Sequence, residues 1–68
     1  MEKHLTITGT STVSWKDAIL QTIAETAKTV NNIKGIKIIT QRAKIEDQKI
    51  AQYYVDLDLT FEVDKNRE

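Results

Sequence analysis

The most regular pattern of hydrophobic and polar residues lies near the C-terminal end, in the segment IAQYYVDLDLTFEV, residues 50–63. Apolar side chains occupy alternate positions there: Tyr53, Val55, Leu57, Leu59, Phe61 and Val63. The positions between them hold Tyr54, Asp56, Asp58, Thr60 and Glu62. Since successive residues of a strand point to opposite faces, this pattern predicts a half-buried β-strand.

Two further strands are predicted from weaker patterns. HLTITG, residues 4–9, alternates Leu5 and Ile7 with polar residues. GIKIITQRAKI, residues 35–45, is rich in β-branched side chains, but the adjacent pair Ile38 and Ile39 interrupts its alternation. That pair indicates either a bulge or a strand that is covered on both faces. EDQK, residues 46–49, is the predicted turn between the second and third strands.

An amphipathic helix is predicted between the first and second strands. Ser14 followed by Asp17 resembles a capping box, and an aspartate in the first turn favours the positive end of the helix dipole. Asn31 and Asn32 end the helix, because asparagine tolerates the left-handed conformation. We expect about 16 to 18 residues. The apolar stripe holds Trp15, Ile19, Ile23, Ala27 and Val30, and is widened by Ala18, Leu20 and Ala24.

These elements predict an α+β fold with the order βαββ. A right-handed crossover followed by a hairpin places strand three between the other two and antiparallel to both, so the sheet order is 1-3-2. The whole chain, residues 1–68, is expected to form a single domain. One helix covers only one face of the sheet, and further copies of the chain are the simplest cover for the other face.

Composition restricts how so small a domain is stabilised. The 68 residues contain no cysteine, no proline and one histidine, which excludes disulfides and a structural zinc and favours self-association. The net charge is zero and gives no reason to expect nucleic acid or an anionic membrane as partner. Without an apolar leader or a run of about 18 apolar residues, a cytoplasmic protein is the default expectation.

Residues that suggest chemistry have ordinary structural interpretations. His4 has no partner visible for catalysis or metal binding, so we interpret it as a solvated strand residue. GTSTVSW, residues 9–15, lacks the glycine repeat and lysine of a phosphate loop, which favours turn and cap chemistry. Trp15 is interpreted as a packing residue at an edge or a subunit contact. With no cysteine and no nucleophile motif, we do not expect an enzyme.

Several short motifs, in their order and spacing, resemble the dodecin family. They are GTS after the first strand, SW at the helix start, TVNNI at its end and VDLDLTFEV near the C-terminus. The resemblance implies a βαββ subunit in a hollow shell of twelve identical subunits. It also implies binding of a flavin, FMN or riboflavin, at subunit interfaces, in a storage or quenching role without turnover.

The same resemblance implies which positions meet the flavin. In flavin-binding members a tryptophan at the start of the second strand stacks on the ring, and that position is Gly35 here. A glutamine on the third strand binds the polar edge of the ring, and that position is Tyr54. Arg42 matches an arginine of many bacterial members that is associated with nucleotide phosphate. We therefore expect flavin binding that is weaker or in a different pose, with Tyr54 as a substitute stacking ring.

Asp56 and Asp58 suggest an alternative ligand. They lie on one face of the predicted strand, about 6.5 to 7 Å apart, and calcium requires several oxygens at about 2.3 to 2.6 Å. Relatives that carry GTS and SW but lack the stacking tryptophan are associated with calcium. Carboxylates of several copies would have to meet to form such a site. In the alternative, structural interpretation, Asp56 and Asp58 simply pair with Lys37 or Arg42 across the sheet. A purely structural shell and a monomeric protein-interaction module are the other open alternatives.

Overall fold

The computed structural model describes residues 1–63, so the last five residues of the predicted domain, 64–68, lie outside the described residues. Three strands and one helix follow one another in the predicted βαββ order. Their bounds are Glu2–Ser11 for β1, Trp15–Thr26 for α1, Ile33–Glu46 for β2 and Lys49–Glu62 for β3.

The sheet has the predicted order β1-β3-β2, and both neighbours of β3 are antiparallel to it. The alternation along β3 is confirmed, since Val55, Leu57 and Leu59 are fully buried. Within residues 1–63, these side chains and Ala18 of the helix are the buried apolar residues, with Ile7, Trp15 and Ile19 packed against them. The central strand therefore supplies most of the core.

The hairpin of β2 and β3 closes through two left-handed residues. Asp47 has φ 53° and Gln48 has φ 66°, as a type I′ turn requires at both central positions. The turn therefore lies within the predicted segment EDQK. The predicted irregularity at Ile38 and Ile39 is also confirmed as a bulge, because the register with β3 shifts between Ile38 and Thr40.

The helix is shorter than predicted, and its buried stripe agrees with the prediction only in part, since Ala18 is buried and Trp15 and Ile19 pack against the core. It has 12 residues rather than 16 to 18, and it ends at Thr26. Threonine and valine at positions 26, 29 and 30 are β-branched and favour helix poorly, and the hydroxyl of Thr29 bonds the carbonyl of Thr26. Asn32 is left-handed, with φ 61°, but it lies in the connection to β2 rather than at the helix end.

The buried stripe of α1 consists of Ala18, Thr22 and Thr26, so the prediction that Leu20, Ala24 and Ala27 bury was wrong. The reason is a close approach of the helix to Gly9 of β1. A Cβ at Gly9 would clash with the Thr22 hydroxyl and lie 3.1 Å from the carbonyl of Ala18. Thr22 can face the sheet because its hydroxyl donates to the carbonyl of Ala18 at 2.8 Å. A small polar residue outside the predicted stripe, Thr22, thus occupies the contact.

Cap chemistry at the helix start agrees with the prediction. The Ser14 hydroxyl accepts from the backbone N–H of Asp17 at 3.0 Å. The Asp17 carboxylate accepts from the hydroxyl of Ser11 at 2.6 Å, which ties the end of β1 to the first turn of α1. GTSTVSW therefore acts as a turn and a cap.

Strand β2 is largely uncovered within the chain. Apart from Ile33, each of its residues is exposed, and the chain is elongated, with extents of 53 × 19 × 13 Å. Five isoleucines of the hairpin are 39–58% exposed: Ile36, Ile38, Ile39, Ile45 and Ile50. Such a strip of apolar side chains is typical of an interaction surface. Within residues 1–63, no helix is long and apolar enough to cross a membrane.

Candidate functional site

The face of the sheet that points away from the helix, called the outer face below, carries the predicted site residues. Directly opposed residues of an antiparallel pair share a face, so the register defines four rows across it. The rows are Thr10–Tyr54–Arg42, Thr8–Asp56–Thr40, Thr6–Asp58–Lys37 and His4–Thr60–Gly35.

Asp56 is the centre of a hydrogen-bond cluster on the outer face. Its carboxylate accepts from the Thr8 hydroxyl at 2.7 Å on one side and from the Thr40 hydroxyl on the other. Arg42 donates from both Nε, at 3.1 Å, and Nη2, at 3.2 Å. The paired interpretation of Asp56 with Arg42 is therefore confirmed.

These partners determine the ionisation of Asp56. Hydrogen bonds from Thr40, Thr8 and Arg42, in that order of effect, lower the pKa of its carboxyl from 3.8 to about 2. The group therefore remains an anion at neutral pH. Because four donors already occupy its two oxygens, Asp56 has little capacity left for a metal ion within one chain.

Arg42 also contacts the aromatic ring beside it. Its guanidinium carbon lies 5.2 Å from the ring centroid of Tyr54, within the range of a cation–π contact. On the other side of the sheet, the backbone carbonyl of Arg42 accepts from the indole N–H of Trp15 at 3.0 Å. Trp15 meets Tyr53 edge to face, with centroids 4.9 Å apart, so its interpretation as a packing residue is confirmed.

Gly35 lies on the outer face but apart from the other two predicted flavin contacts. It pairs with Thr60, six residues along β3 from Tyr54, which places it about 20 Å away at about 3.4 Å per residue. Its φ is not positive, and an added Cβ would have no heavy atom within 4 Å. The backbone therefore does not require glycine here. The structure brings Arg42 and Tyr54 together, but not Gly35.

The interpretation of His4 as a solvated strand residue is confirmed, since its side chain is 57% exposed on β1, but the side chain also has close polar neighbours. Its Nδ1 lies 3.3 Å from Asp58 Oδ2 and 3.3 Å from the Thr60 hydroxyl, and its Nε2 lies 3.9 Å from the Glu2 carboxylate. In the structural interpretation Asp58 pairs with Lys37 or Arg42 across the sheet, but its carboxylate lies beside the histidine ring instead. The register of β1 against β3 creates this contact, and His4 was not included among the candidate site residues because its own segment does not show that register.

The His4 cluster lacks the geometry of a proton relay. Asp58 and Thr60 both approach the same ring nitrogen, whereas a catalytic triad uses one nitrogen for the carboxylate and the other for the nucleophile. Among residues 1–63, no group of three or more His, Asp or Glu side chains is arranged to hold a metal ion.

An open pocket lies elsewhere on the chain, where the segment after α1 meets the end of β3. None of the predicted site residues lines it. Its lining consists of Thr29, Val30, Asn31, Asn32, Phe61, Glu62 and Val63.

Comparison with solved structures supports the fold assignment. The dodecin of Streptomyces coelicolor superposes with a TM-score of 0.90 at 22% identity, covering 96% of this chain and 93% of its own. The dodecin of Streptomyces davaonensis gives a TM-score of 0.90 at 25% identity, covering 96% of both chains. A calcium dodecin of Mycobacterium tuberculosis, described as calcium-chelating, gives a TM-score of 0.81 at 25% identity, covering 100% of this chain and 97% of its own.

Sequence comparison gives the family directly. No curated protein matches the chain significantly. The sequence model of the dodecin family matches residues 2–64, nearly the whole chain. This chain belongs to the dodecin family.

Proposed function

We propose that this chain forms a homo-oligomeric shell that binds a planar aromatic ligand of the flavin class on the outer face and does not turn it over. The observation that carries the proposal is the Tyr54 ring beside Arg42 on the outer face of a dodecin-family chain. The ring is half-buried, and an isoalloxazine can stack on such a ring. A guanidinium plane offers a second stacking surface.

The ligand is proposed to lie between copies. Gly35 and Tyr54 are about 20 Å apart in one chain, at about 3.4 Å per strand residue, so they face the same ligand only when two copies meet. The exposed isoleucines of the hairpin favour such contacts. We propose a shell of twelve copies.

Light scattering on the purified protein tests the assembly. A mass near twelve times the 7.8 kDa of the chain supports the shell. A mass near 7.8 kDa contradicts it and leaves a monomeric interaction module instead.

Riboflavin titration, followed by quenching of flavin fluorescence, tests ligand binding. We expect saturable binding with a dissociation constant in the micromolar range or weaker, because Gly35 provides no ring for stacking. Tyr54→Leu should lose this binding, whereas Tyr54→Phe, which keeps the ring, should retain it. Absence of saturable quenching in the native chain contradicts flavin binding, and a sub-micromolar constant contradicts the expected weakening.

Calcium binding is the second candidate, favoured by the 25% identity to the calcium dodecin of M. tuberculosis. Four donors already bind the Asp56 carboxylate, so Asp58, which has fewer partners, is the better candidate ligand. Calcium requires several oxygen ligands, so oxygens from several copies would have to complete the site. Calorimetry with calcium on chelator-treated protein should then give saturable heat that Asp58→Asn removes. Heat unchanged in that variant contradicts a site at Asp58, and absence of saturable heat contradicts calcium binding.

A further inference from the structure

The cations that flank Tyr54 on the outer face are both neutralised by carboxylates of the same chain. Arg42, directly opposite the ring, is bound by Asp56 through two nitrogens. Lys44 is two positions further along β2, and its Nζ lies 3.3 Å from the Glu46 carboxylate. The surroundings of the ring thus carry charge but no excess of positive charge.

We infer that Asp56 determines ligand specificity: by pairing with Arg42 it removes the preference for a phosphorylated flavin, such as FMN, over an uncharged one, such as riboflavin, that a free Arg42 would give. The inference rests on the proposed flavin binding. It assigns to Asp56 a role that differs from the metal-ligand role suggested by its sequence position, and to Arg42 a role that differs from phosphate binding.

The hydrogen bonds of Arg42 explain why the site does not prefer a phosphorylated flavin. Arginine recognises phosphate through parallel N–H donors, and the Nε and Nη2 pair of Arg42 already donates to a carboxylate. A phosphomonoester carries about −1.5 to −2 charges at neutral pH and would meet a neutral pair that includes a fixed anion. An uncharged flavin does not need this donor pair, and it retains the stacking surface.

Two threonines prevent Asp56 from moving aside. Thr8 donates from β1 at 2.7 Å, and Thr40 donates from β2, so the carboxylate is held from both neighbouring strands. Its pKa of about 2 means that protonation does not release it near neutral pH. An incoming phosphate would therefore have to break three sets of hydrogen bonds to displace the carboxylate.

The test is the ratio of riboflavin to FMN affinity, measured by fluorescence titration at low ionic strength. In the native chain, riboflavin should bind at least as tightly as FMN. Asp56→Asn should shift the ratio toward FMN by about three- to tenfold. This is the effect expected from removing one unit charge in a solvated site, for an assumed distance of about 6 Å between the carboxylate and the phosphate. Asp47→Asn is the matched control, because it removes the same charge at the left-handed turn of the hairpin and should change the ratio less than about twofold.

A double variant, Arg42→Gln with Asp56→Asn, separates the two roles of the pair. It removes both charges together, so the ratio should remain within about twofold of the native value. If Arg42 binds phosphate, the double variant should instead lose FMN affinity selectively. This variant also tests the inference if Asp56→Asn alone does not assemble.

The outcomes distinguish this inference from the proposed function. A native preference for FMN, an unchanged ratio in Asp56→Asn, or a selective loss of FMN in the double variant overturns the specificity role while flavin binding stands. If neither flavin binds the native chain or any variant, the proposed function fails and the inference fails with it.

Discussion

Replacing Gly35 with tryptophan should raise flavin affinity by about tenfold or more. The position lies on the outer face in extended backbone, and an added Cβ meets no heavy atom within 4 Å. Strand residues accept an aromatic side chain well, so the folded chain does not have to rearrange to accommodate it.

The size of the effect follows from the area that a stacked indole buries. A tryptophan buries about 150–250 Å², worth about 4–6 kcal/mol at about 25 cal/mol per Å². Ordering of the side chain and ligand offsets much of this gain, so about one third, or about 1.3–2 kcal/mol, is a conservative expectation. That free energy corresponds to about ten- to thirtyfold in affinity.

Fluorescence titration with riboflavin measures the gain, and Gly35→Leu is the matched control. Leucine fills the same open space with apolar atoms but offers no ring to stack, so we expect less than about a threefold gain. The double variant Gly35→Trp with Tyr54→Gln should also bind more tightly than the native chain, because the tryptophan takes over the stacking role of Tyr54 and the glutamine amide can bind the polar edge of the ring.

Equal gains for leucine and tryptophan would refute the stacking explanation. No gain in either variant, with the oligomer intact by light scattering, would mean that Gly35 does not face the ligand.

Three further predictions concern the fold and its charges. Leu57→Ala should lower the free energy of unfolding by about 2–5 kcal/mol in urea titrations at fixed chain concentration, because the side chain is fully buried. Leu57→Met keeps the side-chain volume and should lower the free energy of unfolding by less than about 1.5 kcal/mol. Equal losses in the two variants would contradict the packing argument. Gly9→Ala should lower the free energy of unfolding by about 1–3 kcal/mol, because the added Cβ clashes with Thr22. Adding Thr22→Ala should recover part of that loss. If the losses of the two single variants simply add in the double variant, Gly9 and Thr22 are not in contact. Between about pH 4 and pH 2 the folded chain binds fewer protons at Asp56 than the unfolded chain, so stability should fall as pH falls through this window. The urea midpoint should decline less over that window in Asp56→Asn, and parallel declines would contradict the lowered pKa.

The alternation along β3 made much of the fold predictable. One regular strand, together with a connection long enough for a crossover and a hairpin, leads to the order β1-β3-β2. The bulge near Ile39 was also predictable, because it appears in the sequence as a break in the alternation of apolar and polar residues. Local patterns of this kind depend on burial of one face, and the sequence shows them directly.

The helix and the site depend on contacts that local patterns do not show. The stripe of Thr22 and Thr26 reflects the close approach of Gly9, a tertiary contact that overrides the apolar pattern of the helix. The bond between Asp56 and Arg42 was foreseen as one of several pairings, because both lie on outward positions of neighbouring strands. The contact of His4 with Asp58 was not foreseen, since it depends on the register of two strands that are separated by most of the chain.

The indole of Trp15 joins the helix to the hairpin, and this has a practical consequence. Trp15 is the only tryptophan, its N–H bonds the Arg42 carbonyl of β2, and its ring contacts Tyr53 of β3. Detachment of the hairpin from the helix would break the bond and expose the ring to water, which shifts tryptophan emission to longer wavelength. The native chain therefore contains an intrinsic optical probe that reports hairpin docking without a label.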